Sequence, residues 1–117
     1  MKQMQEGTSV LAEIIGDSPI VRTLDFLLVF DDYDYSKTQL AREVAISRIT
    51  MEKVVDQLVK KGFVVKTRRI GRAELYRLNK KNPYIKELAE FDFRICGIAA
   101  REELADRKAV VAKARIS

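Results

Sequence analysis

The sequence predicts a mainly α-helical chain with one small β-hairpin, an α+β fold of four short helices, the hairpin and a long C-terminal helix. Three observations predict it. Ser18, Ser36 and Ser47 each stand just before an apolar-periodic stretch, where a serine oxygen accepts from the free N–H groups that open a helix. Met51, Val54, Val55, Leu58 and Val59 fall at i, i+3, i+4, i+7 and i+8, the period of a helix face. Two short strand-like runs, 63–66 and 73–78, come next and flank Gly71.

Taken in order, Val10, Leu11, Ile14 and Ile15 form a short apolar stretch that Thr8 or Ser9 can cap and that Gly16 stops. Ser18-Pro19 opens the second helix, with proline at the first helical position, where its missing N–H costs nothing. It runs through Ile20, Val21, Leu24, Leu27 and Leu28 to about Asp31. The acidic, aromatic stretch Asp31-Asp32-Tyr33-Asp34-Tyr35 has no helical stripe and reads as a connector, its tyrosines as packing residues. Ser36 caps a short third helix with Leu40, Val44 and Ala41 or Ala45 inward. Ser47 caps the fourth, which ends where Lys60-Lys61 gives way to Gly62, a residue suited to the left-handed turn past a helix end. The hairpin has a basic tip over 67–72. Asn82-Pro83 opens the last helix, which reaches Asp106 or beyond, with residues 107–117 expected to fray.

A chain of 117 residues fits one domain that buries roughly two thirds of its unfolded surface. It divides into residues 1–82, which carry the short helices and hairpin, and residues 83–117, the C-terminal helix of the same compact unit. The N-terminus lacks the apolar run of a signal peptide, and no segment approaches the roughly 18 apolar residues of a membrane span. With a single cysteine, Cys96, the expected location is the cytoplasm and no membrane partner is expected. Cys96 itself reads as a small buried hydrophobe.

Charge is unevenly placed. Between Lys60 and Lys81 nine basic residues face Glu74 alone, a segment of +8 in a chain of +5, whereas residues 1–35 hold seven acids against Lys2 and Arg22. A local positive field of this kind attracts a polyanion.

Two short helices joined by a tight turn, the second opening on polar residues and leading straight into a hairpin, make up a helix-turn-helix extended by a wing. With Met51, Val54, Val55 and Leu58 inward, the opposite face of the recognition helix, residues 47–61, presents Ser47, Arg48, Ile49, Glu52 and Lys53, with Thr50 at the boundary. Arg48 and Lys53 are donors for guanine or phosphate, Glu52 is an acceptor for cytosine, and Ser47 and Thr50 can anchor a phosphate. Ile49 is either a thymine-methyl contact or a packing residue. On the basic wing, residues 66–73, Arg68, Arg69 and Arg72 can lie along phosphates or in a minor groove.

Residues 36–78 resemble the winged-helix core of the MarR and ArsR-like regulators of bacteria and archaea. The resemblance lies in Gln39-Leu40-Ala41, in Ser47-Arg48-Ile49-Thr50 before the apolar stripe, in Leu58 to Gly62 leading into the first strand, and in the wing. It implies double-stranded DNA as partner, with Arg48, Ile49, Thr50, Glu52 and Lys53 at the major groove and Arg68, Arg69 and Arg72 on the wing. The chain has no histidine, so no metal site and no cofactor are expected, and the enzymatic reading fails for want of a common general base or a phosphate loop.

Tyr84, Leu88, Phe91, Ile95 and Ile98 alternate spacings of four and three, the seam of a two-helix coiled coil, widened by Ile85, Cys96 and Ala99. The expectation is a homodimeric transcription regulator that sets two recognition helices on a palindromic site. The alternative is a winged-helix adaptor in a transcription or replication assembly. Structured RNA, with Tyr33 and Tyr35 stacking on bases, is a lesser one.

Overall fold

The computed structural model describes residues 9 to 116, apart from the side chains of the last two; Thr8 and Ser117 lie outside the described residues. The order is α1 (Val10–Ile15), α2 (Pro19–Val29), α3 (Lys37–Val44), α4 (Arg48–Lys60), β1 (Val64–Ile70), β2 (Ala73–Leu78) and α5 (Pro83–Ile116). The fold class is the one expected: mainly helical, with a two-stranded antiparallel wing and a long C-terminal helix.

Serine caps set the register of the first four helices. Ser9, Ser18, Ser36 and Ser47 each accept a hydrogen bond from a backbone N–H in the first turn, and at Ser36 the Gln39 side chain answers by accepting from the cap's own N–H. Leu27, Leu40, Val44, Met51, Val54, Val55, Leu58, Val64, Tyr76, Leu78 and Ile85 form one core into which α2, α3, α4, the hairpin and the first turn of α5 all contribute. Thr23, a polar side chain buried in that core, is satisfied by donating to the Pro19 carbonyl at 2.8 Å.

The turn between α3 and α4 uses an unexpected residue. Ile46 N–H bonds the Ala41 carbonyl at 3.0 Å while Ala45 N–H bonds that of Arg42 at 3.3 Å, a left-handed cap with Ala45 at φ 61. The same pair of bonds closes α4 at Gly62, φ 78, with Phe63 N–H reaching Leu58 and Gly62 N–H reaching Val59. Alanine carries a steric penalty there that glycine avoids. Arg22 shields this turn by donating to the Val44 carbonyl.

Four expectations need correction. The tip is not a six-residue loop: β1 runs on to Ile70 through Thr67, Arg68 and Arg69, leaving Gly71-Arg72 as a two-residue turn. Gly71, at φ 61, supplies the conformation that such a turn demands. The connector is partly extended and paired, because Tyr35 and Tyr76 exchange backbone hydrogen bonds of 2.8 Å in both directions. Of its tyrosines, Tyr35 packs its ring 5.2 Å from Phe26, whereas Tyr33 is exposed. Finally, α5 does not fray at 107 but continues to Ile116.

At about 1.5 Å per residue the 34-residue α5 is about 50 Å long, and it gives the molecule its 63 Å long axis. Its first turns are held by Ile85 in the core and Leu88 against it, and α1 packs on it as well. From Ala100 to Ala114 every residue is exposed.

Ala45→Gly is expected to stabilise the chain by about 0.5–1 kcal/mol, relief of the left-handed strain outweighing the extra unfolded-state entropy, and Gly62→Ala to cost about 1 kcal/mol. Urea unfolding of the two variants measures both.

Candidate nucleic-acid interface

The stripe assigned to the core of α4 is buried as expected, so its opposite face is fixed in the open. Ile49 is the most exposed apolar residue of that face, 75% accessible, which excludes its packing role within this chain. Arg48 and Lys53 are exposed beside it, and Thr50 is half-buried at the boundary. Lys53 makes no hydrogen bond or ion pair among the described residues, so its ammonium is available.

Arg48 is held rather than loose. Its Nη1 donates to Thr38 Oγ1 at 2.6 Å and its Nη2 meets Glu52 at 3.4 Å, tying the head of α4 to the head of α3. Glu52 also lies 3.5 Å from Lys37 Nζ, which in turn reaches Asp56 at 3.0 Å and sits 5.6 Å from the Tyr76 ring centre. Burial pulls the Lys37 ammonium down, but the Asp56 hydrogen bond and charge interactions with the Tyr76 phenol, Asp56 and Glu52 outweigh it and hold its pKa above the ordinary value. Glu52 therefore serves first to seat two cations. Ser47 Oγ accepts from Thr50 N–H and donates to Thr50 Oγ1 at 2.9 Å, so its hydroxyl is engaged in the cap.

The wing stands next to this face. A cleft of about 570 Å³ opens between them, lined by Thr38, Lys37, Arg48 and Glu52 on the helical side and Arg69, Arg72, Glu74 and Tyr76 on the wing. Lys66 pairs with Glu74 at 3.1 Å and holds its carboxyl below the ordinary range, aided by the Tyr76 hydroxyl. Arg69 and Arg72 make no hydrogen bond among the described residues and reach into solvent. Arg68 differs from them. Its Nε and Nη2 donate to the two carboxylate oxygens of Asp34 at 3.0 and 3.2 Å, and Thr67 Oγ1 donates to the same carboxylate at 2.6 Å.

Sequence reasoning thus located this helix face and the wing but missed Lys37, Thr38 and Asp34. Ser36 as a cap put Lys37 and Thr38 at a helix start, which was a usable signal. Asp34 had none, since its partner lies 34 positions away.

The expected helical seam is divided. Tyr84, Phe91 and Ile98 are exposed, while Leu88 and Ile95 are half-buried, Leu88 against the core. Phe93, absent from the expected seam, is 80% exposed, and Leu104 and Val111 lie 11 and 18 positions further on, on the same side of a 3.6-residue helix. Cys96 is exposed rather than buried as a residue; desolvation of its sulfur beside the helix and the Asp92 carboxylate, 3.8 Å away, raise its pKa and keep the thiol protonated. Among the described residues no three His, Cys, Asp or Glu side chains are grouped to hold a metal ion, and no helix is long and apolar enough to cross a membrane.

These elements define a winged helix-turn-helix: α3 and α4 joined by a three-residue turn, a β-ribbon wing beside them, and a cationic cleft between. Solved structures of that class share the fold. The MarR family transcriptional regulator SPO1453 from Silicibacter pomeroyi DSS-3 matches at TM-score 0.61 with 22% identity, over 90% of this chain and 77% of its own. The adhesin competence repressor AdcR from Streptococcus pyogenes matches at TM-score 0.55 with 17% identity, over 73% of this chain and 65% of its own. Lactococcus lactis ZitR, solved in complex with DNA, matches at TM-score 0.53 with 14% identity, over 74% of this chain and 60% of its own. The chain thus spans somewhat less than two thirds of the length of AdcR and of ZitR. No family model and no curated protein sequence matches it.

Asp34 has its carboxyl below the ordinary value near 3.8, chiefly through the Arg68 hydrogen bond and then that of Thr67. The folded chain therefore holds this proton less readily than the unfolded one. The stability it contributes is present above the unfolded value and is lost as pH falls through the lowered one. The Arg68 side-chain NMR signals are expected to stay fixed from pH 7 to about 5 and to move only below the ordinary carboxylate range, and Asp34→Asn to abolish that transition.

Proposed function

We propose that the chain is a homodimeric, sequence-specific double-stranded DNA-binding transcription regulator. The observation that carries this reading is the shared orientation of two cationic elements: the exposed head of α4, with Arg48, Ile49, Thr50 and Lys53, and the wing turn, with Arg69 and Arg72, on either side of one open cleft. An α-helix enters a major groove, where Arg48 and Lys53 meet guanine or phosphate and Ile49 meets a thymine methyl. Arg69 and Arg72 reach the flanking phosphates or the minor groove. Thr38 and Lys37 border the cleft from α3 and add a hydroxyl and a positive charge on the backbone side. ZitR, which shares the fold, has been solved in complex with DNA, and that supports DNA as the partner.

A second copy of this chain is the partner for α5. Fifteen consecutive exposed residues of an isolated helix have little intrinsic stability in water, yet Phe93, Leu104, Val110 and Val111 lie open along the exposed stretch and the turns before it. Phe93, Leu104 and Val111 share one side of the helix and offer an apolar surface, which a symmetric dimer covers while spacing two recognition helices about one DNA turn apart. Residues 83–117 then form the dimerisation element and residues 1–82 the DNA-binding domain, with no cofactor and no catalytic step.

Fluorescence anisotropy of a labelled mixed-sequence duplex at several salt concentrations tests the DNA partner. Wild type is expected to bind with steep salt dependence, and Arg69→Ala/Arg72→Ala to flatten the slope by about two units, about 0.9 for each phosphate no longer engaged. No binding at low salt by folded protein would favour the adaptor instead. Light scattering tests the oligomer: a dimer for wild type, and a shift toward monomer for Phe93→Glu/Leu104→Glu.

A further inference from the structure

Thr67 is the extra residue of a β-bulge. The register runs Lys66 to Tyr76 and then Arg68 to Leu75, so Thr67 is left unmatched in the ladder. A bulge bends a strand and re-aims the residues beyond it. Here those residues are Arg68, Arg69 and the Gly71-Arg72 turn, the part of the wing that borders the cleft.

The connector before α3 grips the hairpin at this bend. Asp34 accepts from Thr67 Oγ1 at 2.6 Å and from both Arg68 donors, the two-point geometry that matches guanidinium to carboxylate. Thr67 Oγ1 also lies 3.3 Å from the Leu75 carbonyl, on the strand opposite. Next to it, Tyr35 extends the pairing to the far side of β2 by bridging Tyr76. Further along, Arg77 donates to the carbonyls of Asp31 and Asp32, and Lys80 pairs with both of their carboxylates at 3.6 and 3.7 Å. Residues 31–35 therefore strap the wing to the body of the fold, and Asp34 is the strap's only polar attachment to β1 among the described residues. The Asp34 side chain is just 16% exposed, against 62% for Arg68.

Two roles for Arg68 are open to a cation on such a wing, and they require opposite things of Asp34. A phosphate ligand must leave the carboxylate to meet DNA, and Asp34 then hinders binding both by holding its partner and by adding a negative charge near a polyanion. A wing anchor stays on Asp34 in the complex, and Asp34 then helps. Arg69 and Arg72 have no such hydrogen-bonded carboxylate among the described residues, so they are free to do what Arg68 is not.

We propose that Arg68 is a positioning residue: with Asp34 and Thr67 it fixes the bend of the wing, so that Arg69 and Arg72 face the DNA backbone, and it is not itself a phosphate ligand. This rests on the DNA-binding reading above. It also names the acidic strap, and not the wing alone, as part of the recognition machinery.

The test measures binding of the full chain to the labelled mixed-sequence duplex across a salt series, with circular dichroism and thermal melts showing each variant folded. Arg68→Ala, Arg68→Lys and Asp34→Asn are each expected to weaken binding roughly fivefold while leaving the salt slope within a few tenths of wild type, and Asp34→Asn/Arg68→Ala to be no weaker than either single change. Arg68→Lys keeps the charge and loses the two-point grip, so its failure to rescue separates geometry from charge. Binding that tightens in Asp34→Asn, or an Arg68→Ala slope shallower by about 0.9 with Arg68→Lys near wild type, would overturn the positioning role and make Arg68 a phosphate ligand. A folded wild type that binds no duplex at low salt would instead overturn the DNA-binding reading itself.

Discussion

Met51, Val54, Val55 and Leu58 lie along one side of α4 with at most 4% of their surface exposed. Burying side chains of this size contributes about 1.5–3 kcal/mol each, which no arrangement of surface charge can match. The rotation of α4 about its axis is thereby set, because any turn of the helix that hid Ile49 or Lys53 would bring this stripe into water. The whole interface depends on that rotation. It puts Arg48 within 2.6 Å of Thr38 and points the head of the helix at the same open space as the wing. The core thus determines which side chains are left for recognition.

Around this fixed helix, electrostatics divides the basic residues by task. Nine cations occur between Lys60 and Lys81, yet they are not equivalent in three dimensions. Arg68, Arg77 and Lys80 bind the acidic connector, Lys66 binds Glu74, and the positive charge left open on the wing is concentrated at Arg69 and Arg72. Exposed pairs of this sort add little to stability at ordinary salt. Their value lies in direction. They turn a flexible two-stranded ribbon, which is marginal on its own, into an arm held at one angle.

Whatever depends on neighbours in sequence was legible in it. The serine caps, Gly62, the α4 stripe and the hairpin were all there to read, since helix ends and helix faces are local events. Ala45 escaped because its left-handed conformation is imposed by the core on either side of the turn and not favoured by the residue. The first strand ran longer than its composition suggested because Arg68, Arg69 and Ile70 gain pairing partners on β2 only once the hairpin closes, whereas β2 keeps the expected bounds. The Asp34 clamp and the Tyr35 bridge join segments more than 30 positions apart, and no pattern in either segment announces them. The seam of α5 shows the same limit. A 3-4 spacing identifies an apolar face but not whether the chain's own core or a second copy covers it, and here Leu88 is packed on the core while Tyr84 is open.

The proposed recognition requires α4 and the wing to meet DNA together. Titration of the isotopically labelled chain with a mixed-sequence duplex, monitored by amide NMR, measures this residue by residue. Shifts concentrated at Ser47 to Lys53 and at Arg69 to Ala73, with Leu104 to Lys113 unmoved, are the predicted result. Shifts confined to α5 or to the face of α2, with the head of α4 silent, would contradict it.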